Sequence, residues 1–94
     1  MTNENATTKE ETKMEMYLAE WNTHNEALCD LLEAIDRLTD HKHPYAVSFL
    51  AADLVKVAEE RQEALENLKE YGIRNHEDAL FTVCKRKEAK KENA

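Results

Sequence analysis

The chain contains one proline and one glycine, Pro44 and Gly72, and these two positions divide its 94 residues into three stretches that nothing else interrupts. Proline disfavours α geometry at the residue before it and suits the first position of a helix, so a tight turn is expected within Thr39-Asp40-His41-Lys42-His43, with a new helix from Pro44. Glycine accepts the left-handed backbone of a helix end, so the second helix is expected to close at Tyr71 and Gly72, with Ile73 folding back on the last turn. Asn75 then offers a cap, and Glu77 and Asp78 a favourable first turn, to a short third helix whose apolar stripe is Leu80, Val83 and Cys84 with Phe81. So little turn punctuation in a chain rich in Ala, Glu, Leu and Lys predicts an all-α fold and excludes sheets and glycine-rich phosphate loops.

Within the first two stretches the apolar residues follow a heptad. Helix 1, starting between Glu10 and Lys13, places Met14, Trp21, Leu28 and Ile35 in one column and Tyr17, His24, Leu31 and Leu38 in the other. Helix 2 repeats the pattern with Val47, Leu54, Arg61 and Leu68 beside Leu50, Val57, Ala64 and Tyr71. A short turn makes the two helices antiparallel neighbours, with Leu38 opposite Val47, Leu31 opposite Leu54, Trp21 opposite Ala64 and Met14 opposite Tyr71. In that register the only polar breaks of the two seams, His24 and Arg61, face each other. They read as a layer that fixes register, His24 staying neutral and accepting from Arg61 unless Glu20 or Glu60 reaches them. The same layer is the one place where a small anionic metabolite could be held, and this is the alternative functional reading.

Other constellations are weaker. Asp40-His41-Lys42-His43 offers a His-x-His pair, but its position fits cap and turn, and no metal ligand set is expected. Glu33-x-x-Asp36 and Glu60-x-x-Glu63 are similar to the paired acid motifs with which small all-α nucleotide pyrophosphatases hold magnesium. Their order is reversed, and the heptad phase turns Glu33, Asp36 and Glu63 away from the seam, so this activity ranks third. Cys29 lies about 140° round the helix from His24 and forms no nucleophile pair with it. No catalytic residue, cofactor or metal is assigned. Two distant cysteines build no disulfide framework and read as reduced thiols.

Charge decides the kind of partner. The net charge is -7, yet Lys85, Arg86, Lys87, Lys90 and Lys91 cluster at the end against Glu88 and Glu92, so the body is more acidic than the whole. Direct nucleic-acid binding is not expected of such a surface, whereas docking on a basic one is. No apolar run reaches the length of a membrane span or a signal core, which predicts a cytoplasmic protein without membrane contact. The chain is divided into a disordered leader (1–10), the helical hairpin with its short third helix (11–84) and a basic tail (85–94). With 41% apolar residues but a mean hydropathy of -0.79, the core is thin, and Leu18, Leu32, Tyr45, Phe49 and Leu65 lie outside the hairpin seam. They are assigned to an interface that completes a homodimeric helical bundle. The function expected is a non-catalytic regulator or inhibitor that docks on a basic macromolecular surface, in one version as a charge mimic of nucleic acid of the phage or mobile-element type.

Overall fold

The computed structural model describes residues 2–93, with side chains from 12 to 89. Apart from the links 41–43 and 72–75, the described residues are helical: α1 (Thr2–Asp40), α2 (Pro44–Leu68) with one 3-10 turn (Lys69–Tyr71) on its end, and α3 (His76–Asn93). α1 starts at Thr2, ahead of the start expected near residue 10; the side chains of the expected leader lie outside the described set.

Both ends expected from Pro44 and Gly72 form by the same device. At the close of α1 the His43 N–H donates to the Leu38 carbonyl at 3.0 Å and the Lys42 N–H to the Thr39 carbonyl at 3.2 Å. This is the Schellman pattern, and Lys42, at φ 61°, holds the left-handed position usually given to glycine. Pro44 then begins α2. At the far end Ile73 donates to Leu68 at 3.3 Å and Gly72 to Lys69 at 3.1 Å, with Gly72 at φ 86°. Ile73 is buried where it folds back. α2 ends at Leu68 rather than Tyr71 because its last turn tightens into 3-10 geometry, a common way to satisfy terminal carbonyls.

α3 is capped by Asn75, whose side-chain oxygen accepts from the Asp78 N–H at 2.8 Å. It does not stop near Cys84. It continues to Asn93, because residues 85–92 of the basic stretch are all Lys, Arg, Glu or Ala, good helix formers, with no glycine or proline among them. The residues it buries also differ from those expected. Ala79 and Val83 are buried, whereas Leu80 and Phe81 are exposed at 47% and 62% and Cys84 is exposed. A helix that crosses close to two others needs small residues at the contact, and Ala79 permits an approach that leucine would block.

The α1 and α2 seams meet along their length: every heptad position from Met14 to Leu38 and from Val47 to Tyr71 is buried or half-buried. Full burial is confined to one end. There Leu18 and Trp21 of α1, Ala64, Leu65 and Leu68 of α2, Ile73 of the link and Ala79 and Val83 of α3 form a single cluster, with Met14 and Tyr17 packed on it. Toward the turn Leu28, Leu31, Leu50 and Leu54 are only half-buried, since two helices cannot shield each other without a third. The molecule is correspondingly elongated, 61 × 29 × 17 Å with a radius of gyration of 17.0 Å, against roughly 12 Å for a compact domain of this length.

Candidate functional site

His24 and Arg61 do not pair with each other. Each takes a neighbour of the other: His24 Nδ1 lies 3.3 Å from a Glu60 oxygen, and Arg61 Nη1 donates to Asn25 Oδ1 at 2.8 Å. An acid adjacent to Arg61 and an amide adjacent to His24 thus give each group an acceptor. Arg61 Nε is buried and has no hydrogen-bond partner.

The same region holds a residue that the heptads do not reveal. His76, the first residue of α3, receives the indole N–H of Trp21 on its Nδ1 at 3.0 Å, and the two rings stack with centroids 6.1 Å apart. An indole nitrogen only donates, so Nδ1 carries no proton and Nε2, 3.2 Å from Gln62 Oε1, is the donor to that oxygen. Gln62 in turn donates to Glu66 at 2.9 Å, where Lys69 also donates at 2.9 Å. The bonds thus run in one direction from Trp21 through His76 and Gln62 to a carboxylate. Hydrogen bonds from Lys69 and then Gln62 hold the Glu66 carboxyl below its usual range. Burial, with Arg61 nearby as the lesser cause, lowers the pKa of His76. One signal for this contact was present in the sequence: a seam tryptophan must find an acceptor once it is buried.

The five residues assigned to an intersubunit face separate into two groups. Leu18 and Leu65 are buried inside the chain's own core at 4% and 3%, because α3 covers them. Leu32, Tyr45 and Phe49 remain exposed at 51%, 84% and 77%. All three belong to the half of the molecule near the turn, as does exposed Val55.

The acids show no convergence. Glu33 is held by Arg37 at 2.7 Å, Glu60 by His24, and Asp36 and Glu63 are exposed. Among the described residues no group of three or more His, Cys, Asp or Glu side chains is placed to hold a metal, and no helix is long and apolar enough to cross a membrane. An open cleft of about 540 Å³ separates α1 from α3, lined by Leu18, Ala19, Asn22 and Val83. Its rim is charge-compensated, since Arg86 donates to Glu15 at 2.7 Å and Lys87 lies 3.9 Å from Glu26. The basic tail, as far as its side chains are described, therefore contacts the acidic body. No family model, curated protein or solved structure matches the chain.

Proposed function

We propose that this chain is a small acidic, non-catalytic interaction protein of the cytoplasm: an antiparallel helical hairpin, pinned at its open end by α3, that regulates or inhibits a partner by docking on its basic surface. One observation carries the reading. The half of the hairpin nearest the turn buries no residue fully, exposes Leu32 and Val55 beside half-buried leucines, and carries exposed acids, among them Asp30, Glu33, Asp36, Asp53 and Glu59. Exposed apolar residues on an acidic surface are the complement of an apolar patch on a basic one. Tyr45 and Phe49, on the outward side of α2, serve a second copy of the chain in a homodimer. The deciding experiment is affinity capture from the native host followed by mass spectrometry, at low and at high salt. A stoichiometric basic protein released by salt supports the proposal. Recovery of the bait alone overturns it.

A second reading, a small anion held at Arg61, is favoured by the buried and unpartnered Nε. A thermal-shift screen against nucleotides and organic acids tests it: a ligand whose stabilisation disappears in Arg61→Leu would establish it.

A further inference from the structure

α3 shows what the hairpin accepts. It lays Ala79 and Val83, one helical turn apart, over Leu18 and Leu65, and its cations reach acids on α1, Arg86 to Glu15 and Lys87 to Glu26. The groove that receives it is formed by Glu15, Leu18 and Asn22 on α1 and by Gln62 and Leu65 on α2. Residues seven apart share a helix face. Steps of seven therefore carry the α1 side of this groove from Asn22 to Cys29 and Asp36 and from Leu18 to Leu32. They carry the α2 side from Leu65 to Ala58 and Ala51 and from Gln62 to Val55. The Arg61–Asn25 bond and His76 mark where α3 begins; beyond them, toward the turn, Leu32 and Val55 are 51% and 59% exposed. The acids recur as well. Asp36 and Asp40 occupy the heptad positions that Glu15 and Glu26 hold for α3, and both are exposed.

We propose that this turn-end continuation of the groove, lined by Cys29, Leu32, Ala51, Val55 and Ala58, binds an amphipathic basic helix of a partner protein. The proposal rests on the interaction reading above and names its surface and the form of its ligand. Charge favours a basic helix of another protein, because Asp36 and Asp40 on this stretch of α1 are exposed, and the chain's own basic helix is already engaged with Glu15 on its own body.

Cys29 and Cys84 are both free and exposed, so thiol reactivity of the full chain reports occupancy directly, with Cys84 on α3 as internal control. The probe is a synthetic helix of about five turns with an Ala/Val/Leu stripe flanked by lysines. Saturating peptide is expected to slow alkylation of Cys29 about tenfold and to leave Cys84 unchanged. Leu32→Lys, at an exposed site that does not threaten folding, is expected to weaken peptide affinity about tenfold, and Tyr45→Lys, the same charge change on the outward side of α2, less than about twofold. Absence of Cys29 protection overturns the proposal, as does equal weakening by Tyr45→Lys, which would show charge attraction without a site. So does sedimentation in which Leu32→Lys turns a dimer into a monomer, since a second copy then owns the groove. A partner captured equally well by wild type and Leu32→Lys removes this groove and leaves the interaction reading standing.

Discussion

The Trp21–His76 contact ties α3 to α1 through one hydrogen bond whose acceptor is lost on protonation, and this makes it testable by pH. Trp21 is 1% exposed, so replacing His76 by Phe, which keeps a ring to stack on the indole, leaves a buried N–H without an acceptor. The expected cost at pH 8 is about 1–3 kcal/mol, or roughly 4–8 °C in Tm for each kcal/mol in a domain of this size. Trp21→Phe removes the donor and part of the ring, and costs about 2–3 kcal/mol. The double variant is expected to cost less than the sum, leaving a coupling of about 1 kcal/mol. The sign of the pH dependence follows from the lowered pKa of His76. Above the unfolded value of about 6.5 both states are neutral and the contact contributes fully. Below it the unfolded chain binds a proton that the native site resists, so stability falls with pH until the folded pKa is passed. The slope for one such site cannot exceed about 1.4 kcal/mol per pH unit, and water at the half-exposed ring keeps it below that bound. Urea unfolding followed by circular dichroism at pH 8, 7, 6 and 5, in wild type and the three variants, gives both quantities. A coupling near zero at pH 8, or a His76→Phe profile parallel to wild type between pH 7 and 5, would refute the assignment of proton and acceptor.

Three further outcomes are expected. Leu65→Glu places an unpaired charge in the core and should unfold the chain, whereas Phe49→Glu should keep the helical signal and act only on self-association; light scattering with circular dichroism separates the two. Lys42→Gly relieves a left-handed lysine and should add about 0.5–1 kcal/mol, while Gly72→Ala, which meets no neighbouring atom within 4 Å, should lose about 1–2 kcal/mol from backbone strain alone; thermal melts of the pair read both. Asn75→Ala removes the cap of α3 and should cost about 1 kcal/mol in the same melts, with Asn75→Asp retaining most of it.

What could be read from the sequence was local. Pro44, Gly72 and Asn75 act through the backbone within a turn of themselves, and the heptad columns act through helix periodicity, so each was visible without knowing what lay opposite. The positions that depend on α3 were not. Its packing rests on Ala79 and Val83, too small to stand out against Leu80 and Phe81, and its direction decided that Leu18 and Leu65 belong to the core and Leu32 does not. The partners within the candidate layer were legible only in part, since the sequence offers Glu60 as an acid within reach and gives no sign of Asn25. Register arithmetic placed His24 and Arg61 opposite each other, but the side chains chose Glu60 and Asn25, a preference set by charge and reach that the heptad pattern does not encode.

The one-ended core also sets a gradient of opening along the packed pair α1 and α2. Amide exchange should be slowest around Trp21 and Leu68, where three helices meet, and fastest around Ile35 and Val47, where separating two helices exposes little that was dry. The tip therefore breathes while the base stays closed. A ligand that zips the tip shut must offset the ordering of those last turns before any of its contact energy appears as affinity, and its complex should dissociate by fraying from the turn inward rather than by release in one step.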